Sequence, residues 1–292
     1  MNDLMTTREV ADYLRLRERK IYDLVSNGAI PCTRVTGKWL FPRSLIDLWL
    51  LENAEGAGAE PRPRPAAVVA GSHDPLLEWA VQTSGCGLAL LVGGSMNGLA
   101  RFARAEAGVC GLHIPEEDGE FNIDTVRRAG SGECVLVEWA RRSQGLMLAA
   151  DNPLRIEQLV HLRDRGARVI DRQEGAGSSL LLTRLLADAG IERDGLTFLD
   201  EIAVNHTDVA REVHAGHADA GLGIEAAARD AGLTFLPLGE ERFDLLIDRR
   251  EYFERPVQSL LALTRTPRFA DRAAALGGYD LSETGSVRYN AA

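Results

Sequence analysis

The chain has 292 residues, 45 % of them hydrophobic and 26 % charged, and a formal net charge of −10. This length suggests about two domains, and the composition is that of a globular protein with enough apolar material for a real core. No apolar run approaches the roughly 20 residues needed to span a bilayer, and Met1 to Met5 carry no basic region followed by an apolar core, so neither a membrane span nor a secretory signal is expected. The four cysteines, Cys32, Cys86, Cys110 and Cys134, lack CxxC spacing, which argues against a disulfide framework or zinc site and fits a reducing, cytoplasmic setting.

Thr6 with Glu9 three residues later has the form of a capping box, and Val10, Ala11 and Leu14 then recur at helical spacing. After a short turn at Leu16-Arg17, a second helix is predicted from Arg17 to Ser26, with Ile21, Leu24 and Val25 inward and Asn27-Gly28 as its stop. The period then changes. Cys32 to Phe41 is rich in β-branched and aromatic residues around Gly37-Lys38 and is predicted to be a hairpin, stopped by Pro42. Ser44 is expected to cap a third helix through Leu45, Ile46, Leu48, Trp49 and Leu50.

Two short helices, a tight turn and a wing make a helix-turn-helix pattern. On Leu4 to Ala11, Lys20-Ile21-Tyr22, Asn27 to Pro31 and Gly37 to Phe41, residues 4–51 resemble the excisionase-type, MerR-like winged helix-turn-helix family. The resemblance implies that the second helix enters the DNA major groove while the wing touches the backbone. Arg17, Arg19, Lys20, Tyr22, Arg34 and Lys38 are then the expected DNA contacts. The alternative, a merely solvated charged face, stays open. Residues 1–55 carry eight Lys/Arg and eight Asp/Glu, so the whole charge of −10 lies in residues 56–292. A neutral head can hold DNA locally, while the acidic body repels it and makes binding salt-sensitive.

Residues 54–66 are dominated by Gly, Ala, Pro, Glu and Arg and form the expected linker, stiffened by its Pro-Arg alternation. From residue 67 to 292, strand-like and helix-like segments alternate. Strands are predicted at Ala67–Gly71, Leu88–Val92, Gly108–His113, Cys134–Trp139, Arg168–Ile170 and near Ala218–Ile224. Helices are predicted at Pro75–Thr83, Leu99–Glu106, Leu180–Ala189 and Val209–Ala215. This order implies an α/β domain with a mostly parallel sheet.

In such folds ligands sit beyond the carboxyl ends of strands. Three strand-to-helix junctions combine glycine with hydroxyls: Gly71 to Asp74, Gly93 to Asn97, and Gly175 to Ser179. Helix N-termini with exposed N–H groups favour anions, although serine is also simply a good helix cap. Ser72, Ser95, Met96, Asn97, Gly177, Ser178, Ser179 and Thr207 are the expected ligand contacts. His73 and His113 are either ligand contacts or structural, Thr207 either caps the helix that follows His206-Thr207 or donates to ligand, and Arg141-Arg142 either binds anion or marks a strand end. His214 and His217 read as surface residues, and no metal ligand set or cofactor is expected.

On Gly71 to Asp74, Gly94 to Leu99, Ala107 to His113, Arg142 to Leu146, Asp171 to Ser178, Asn205 to Ala210 and Ala218 to Ile224, residues 67–288 resemble the binding-protein-like family related to type 2 periplasmic binding proteins. That family occurs fused to helix-turn-helix heads and to molybdenum-cofactor biosynthesis proteins. The resemblance implies a two-lobed α/β domain, hinge strands, and a tetrahedral oxyanion such as molybdate or tungstate in the cleft. The Gly175–Ser179 loop departs from the family's commoner Gly-Ser-Gly-Thr-Arg form, and the missing arginine leaves fewer positive charges.

The expectation is therefore a winged helix-turn-helix joined to a two-lobed periplasmic-binding-protein-like domain, acting as a ligand-responsive transcription regulator. Its expected partners are double-stranded DNA, a small-molecule or oxyanion effector, and a second copy, since helix-turn-helix proteins read paired half-sites. No membrane partner is expected. An enzyme is not expected, because no nucleophile elbow, phosphate loop or dinucleotide fingerprint is present; Ser95 lies in Gly93-Gly94-Ser95-Met96-Asn97, which lacks the final glycine. The alternatives are a molybdenum-cofactor accessory protein, a sensor of an organic metabolite, and an architectural DNA binder.

Overall fold

A computed structural model describes residues 4–35, 37–52, 64–117, 119–130, 132–173 and 176–291. The central linker (54–63), Thr36 of the wing, and Glu174 and Gly175 of the third glycine-serine junction lie outside the described residues. The chain divides into two compact units, residues 1–63 and 64–292.

In the first unit, β1 (Leu4–Thr6) leads into α1 (Thr7–Leu14) through the reciprocal capping box. Thr6 N–H donates to Glu9 Oε2 at 2.7 Å, and Glu9 N–H donates to Thr6 Oγ1 at 3.3 Å. Arg15 turns left-handed at φ 54°, ending α1. The second helix, α2 (Glu18–Ser26), starts one residue later than the apolar spacing predicts, with Arg17 extended as its N-cap. The wing is β2 (Thr33–Val35) and β3 (Lys38–Pro42). β1 pairs with β3 to complete a three-stranded sheet in the order β1-β3-β2; at three residues, β1 is too short to show an alternation. The third helix, α3 (Arg43–Glu52), begins at Arg43, so Ser44 lies inside the helix and not at its cap. Met5, Val10, Ala11, Ile21, Ile30, Phe41 and Ile46 form the core. The Tyr13 hydroxyl donates to Asp47 Oδ1 at 2.6 Å and ties α1 to α3.

The second unit is one curled sheet, ordered along its main path β5-β4-β6-β11-β7-β10-β8-β9, with two further strands on β7. Its first lobe opens with β4 (Val68–Gly71), α4 (Pro75–Ser84), β5 (Ala89–Val92), α5 (Ser95–Ala103), β6 (Val109–Leu112) and α6 (Ile123–Arg128). Then β7 (Cys134–Leu148) crosses into the second lobe. That lobe contains α7 (Val160–Asp164), β8 (Arg168–Arg172), α8 (Gly177–Asp188), β9 (Thr197–Ala203), α9 (His206–His214), β10 (Ala220–Ile224) and α10 (Glu225–Asp230). The chain returns along β11 (Thr234–Asp248) and ends in the first lobe with α11 (Arg249–Tyr252), α12 (Arg255–Leu263), α13 (Pro267–Leu276), β12 (Tyr279–Asp280) and β13 (Val287–Ala291).

The sheet is mixed and not mostly parallel. β4 pairs in parallel with β5 and β6, and β8 with β9 and β10, as strand-helix-strand crossovers require. The two 15-residue strands β7 and β11 run antiparallel to each other through both lobes. Each is apolar at both ends and polar in the middle. Val135, Val137, Trp139 and Ala140 sit in one core cluster, which Met147 joins, and Leu146 and Leu148 sit in another, while the buried Arg142 and Gln144 lie between them along the strand. Helices α5 and α8 each begin earlier than predicted, at Ser95 and Gly177, because the hydroxyl-bearing residues form the first turn itself.

Candidate ligand cleft and DNA-contacting face

Where β7 and β11 cross between the lobes, Arg142 and Glu241 stand directly opposite in the register. They form an ion pair with both side chains buried. Arg142 Nη1 also donates to Asp74 Oδ2 at 3.1 Å, and its guanidinium lies 4.3 Å from the Phe243 ring centroid. Asp74, the N-cap of α4, further accepts from Leu77 N–H, Trp139 Nε1 and the Tyr279 hydroxyl. Two carboxylates thus neutralise Arg142. Burial opposes ionisation of Glu241, but Arg142 and His113 outweigh it and bring its pKa down to about 2.

His113 continues this network. Its Nδ1 lies 2.7 Å from Glu241 Oε2 and its Nε2 2.6 Å from Ser72 Oγ. Burial lowers the His113 pKa despite Glu241, favouring the neutral ring. The carboxylate can only accept, so Nδ1 carries the proton and Nε2 accepts from the Ser72 hydroxyl. Ser72 therefore commits its one proton to His113 and offers lone pairs to the cleft. Ser95 Oγ, fully buried, accepts from His113 N–H at 3.3 Å.

The second lobe closes on this network with unsatisfied polar atoms. Ser178 Oγ, both ring nitrogens of His206 and Arg172 Nη1 are buried with no hydrogen-bond partner among the described residues, and the buried Gln144 amide lies beside Glu241. Leaving one such group unpaired costs about 1–3 kcal/mol. Arg172, 4 % exposed at the carboxyl end of β8, donates Nη2 to Val204 O at 2.9 Å and Nε to Gln173 Oε1 at 3.3 Å, but forms no direct carboxylate pair among the described residues. Burial lowers its pKa to about 10, which leaves it charged at neutral pH. Burial, followed by the charges of Arg172 and Arg142, pushes His206 well below the ordinary histidine value, so its ring is neutral.

The helix N-termini divide into two kinds. Asp74 and Asn205 cap α4 and α9 with their side chains. No side chain caps α5 or α8, whose first turns hold Ser95 and Gly177-Ser178-Ser179. These two ends leave N–H groups free for an anion. A groove of about 510 Å³, lined by Ser72, His73, Asp74, Asn205, Thr207 and Asp208 among others, meets the buried network at Ser72 and Asp74.

Ser72, Ser95, Gly177 and Ser178 come together at the junction, and Thr207 lies exposed on the groove wall. Ser179 is half-buried, with its carbonyl accepting from Thr183. Met96 and Asn97 do not join the cluster: both side chains are exposed, and Asn97 Oδ1 accepts from Arg101 Nε at 3.0 Å. His214 and His217 also face outward, on Ala231 O and Glu212.

On the first unit, Arg17, Arg19, Lys20 and Tyr22 are exposed at the start of α2, and Arg34 and Lys38 are exposed on the wing. The Arg34 guanidinium lies 5.2 Å from the Trp39 ring centroid, which steadies it there.

A family model described as a PBP superfamily domain matches residues 78–265, and one described as a helix-turn-helix domain matches residues 4–54. The chain belongs to the PBP superfamily domain family. It is 26 % identical over 302 residues to "Uncharacterized protein YvgK" of Bacillus subtilis (strain 168), covering 97 % of this chain and 96 % of that one. Among solved structures it resembles a phosphate ABC transporter substrate-binding protein with bound phosphate from Clostridium perfringens, with TM-score 0.54, 14 % identity, and coverage of 72 % of this chain and 96 % of that one. It also resembles the tungstate ABC transporter protein from Geobacter sulfurreducens, with TM-score 0.52, 12 % identity, and coverage of 74 % and 100 %. A mutant of OxyR from Corynebacterium glutamicum with hydrogen peroxide bound matches with TM-score 0.51, 15 % identity, and coverage of 93 % and 89 %. These likenesses show the fold.

A helix-turn-helix domain joined to a PBP domain suggests a ligand-responsive DNA-binding regulator. Among the described residues, no helix is long and apolar enough to cross a membrane. Ser179 stands where the commoner Gly-Ser-Gly-Thr-Arg form has its arginine, while a different arginine, Arg172, lies buried at the end of the strand before the loop. Its sequence signal was a cation at the carboxyl end of the short strand Arg168-Val169-Ile170-Asp171-Arg172.

Proposed function

We propose that this chain is a transcription regulator that binds double-stranded DNA through Arg17, Arg19, Lys20, Tyr22, Arg34 and Lys38 and senses a small anion between the lobes of its PBP domain. The observation that carries the reading is the set of buried polar atoms on Ser178, His206 and Arg172 that have no partner among the described residues. The Arg172 guanidinium has no direct carboxylate pair among the described residues, and two helix N-termini, those of α5 and α8, have no side-chain cap among them. A tetrahedral oxyanion would complete these bonds with its oxygens, and molybdate and tungstate are the leading candidates. Ser95, Gly177 and Ser179 supply first-turn backbone around it, with Met96 and Asn97 at the outer end of the α5 turn and Thr207 at the entrance.

Closing the lobes on the anion changes the shape of the domain, and a pair of copies in the cytoplasm would pass that change to heads on paired half-sites. The domain binds its effector without turning it over. Thermal unfolding with molybdate, tungstate, sulfate and phosphate tests this. A ligand at ~100 times its dissociation constant adds about 2.7 kcal/mol of stability. A shift with molybdate or tungstate supports the metal-oxyanion reading. No shift with any of the four retires the inorganic-oxyanion reading.

One observation favours a second reading, an organic anion. Ser72 offers an acceptor, and the entrance groove of about 510 Å³ lies within the range of small-molecule sites. Both features suit a ligand that carries a hydroxyl or amine as well as its charge.

A further inference from the structure

A second groove, of about 580 Å³, lies along the sides of helices from both lobes and is lined largely by residues outside the anion cleft. Its apolar wall includes Trp79 of α4, Ala210 of α9, Ala227 of α10 and Leu276 of α13. Small side chains on α9 and α10 open the space, and the indole supplies a flat apolar face. Two polar groups on this wall are unfinished. Arg272 Nε is buried with no hydrogen-bond partner, and no carboxylate among the described residues pairs with its guanidinium. His73 Nδ1 is also buried and unpartnered, while His73 Nε2 sits 3.0 Å from Glu78 Oε2.

From these groups we infer a second ligand site in the PBP domain, one that takes a small organic carboxylate with an apolar body. A groove of this size suits an organic molecule and far exceeds a tetrahedral oxyanion. The Arg272 guanidinium is shaped to take a carboxylate by charge-assisted hydrogen bonds. The body of the ligand packs on Trp79 and the alanines. The two acids on the lining do not compete: Glu78 is engaged by His73 and Gln82, and Asp230 is exposed at the rim. Such a ligand would touch α4 and α13 of the first lobe and α9 and α10 of the second, so its binding would be coupled to lobe closure. The inference is independent of the oxyanion reading.

Calorimetric titration of the full chain with benzoate, phenylacetate and 3-methylbutanoate, each beside its primary amide, tests it. The expected result is saturable binding by at least one carboxylate, with its amide weaker by about tenfold or more. Arg272→Met should weaken that carboxylate by about tenfold or more, and Arg272→Lys should restore part of it. The ligand-free melting temperature of Arg272→Met should match wild type, which shows that the variant folds without reference to any oxyanion. Saturable binding by none of the three carboxylates overturns the inference. So does equal affinity in Arg272→Met, or displacement of the carboxylate by molybdate with loss of both in Arg172→Met, which would place it in the anion cleft.

Discussion

Gly177 of the second lobe stands directly against His113 of the first: a β-carbon at Gly177 would lie 2.5 Å from the His113 carbonyl oxygen and 2.6 Å from Nδ1. Its backbone is not left-handed, so alanine would cost nothing locally, and the obstruction is entirely between the lobes. Gly177→Ala should hinder closure while leaving each lobe folded. The expected result is anion affinity weakened by about tenfold or more, roughly 1.4 kcal/mol, with DNA affinity in the absence of effector unchanged. Equal anion affinity in the variant would show that closure does not bring these residues together during binding.

Arg172→Met separates a ligand-binding cation from a structural one. Among the described residues Arg172 is buried without a direct carboxylate pair, so replacing it with an apolar side chain of similar length removes a charge that only the more distant Glu241, Asp208 and Asp171 offset. The stability of the ligand-free protein should stay level or rise. The stabilisation of about 2.7 kcal/mol expected from saturating anion should vanish. Unfolding curves with and without anion give both numbers. A large loss of ligand-free stability would instead mark Arg172 as a structural residue.

The buried histidines set the acid limb of stability. His206 is held well below its ordinary 6.5 by burial, then by Arg172, Arg142, His113 and His73 around it, and His113 is lowered by burial against the pull of Glu241. Below pH 6.5 the unfolded chain takes up protons that these folded rings refuse, so stability falls as pH drops. One proton contributes at most about 1.4 kcal/mol per pH unit. Asp244 works in the opposite sense, since burial raises it from 3.8 to about 6 and its stabilisation grows as pH falls from 6. The melting temperature should therefore drop between pH 7 and pH 5, and His206→Gln should flatten the drop. An unchanged slope in that variant would contradict the neutral-ring assignment.

Arg19 and Lys20 lie exposed in the first turn and a half of α2. If they reach phosphates, Arg19→Ala and Lys20→Ala should each weaken DNA binding across all sequences and reduce the slope of log affinity against log salt by about 0.9. A change confined to one base position would assign that residue to base reading instead. Fluorescence anisotropy over a salt series distinguishes the two.

Much of this was legible in the residues, and the gaps have physical causes. The first helix was readable because Thr6 and Glu9 both bond as the capping-box spacing requires. The two hinge strands were not readable as single elements. Ala140 to Gly145 in β7 and Gly239 to Arg242 in β11 interrupt the apolar pattern with the very side chains that face the cleft, so each strand looks like two short pieces. The glycine-serine junctions pointed to Ser72, Ser95 and Ser178, because helix starts announce themselves locally. Arg142, Gln144, Arg172 and Glu241 are brought together by strand crossing, which no local spacing encodes. Met96 and Asn97 shared the motif with Ser95 but fall on the outer side of the same turn.

The most direct test of the regulator account is the affinity of the full chain for DNA, measured with and without the anion that stabilises it. DNA selected from a random-sequence library would supply the site, and wild type and Arg172→Met would be compared. The account predicts that the anion changes the DNA dissociation constant by about fivefold or more in wild type, the range of allosteric coupling, and leaves Arg172→Met unaffected. An anion that stabilises the PBP domain yet leaves wild-type DNA affinity unchanged would contradict it.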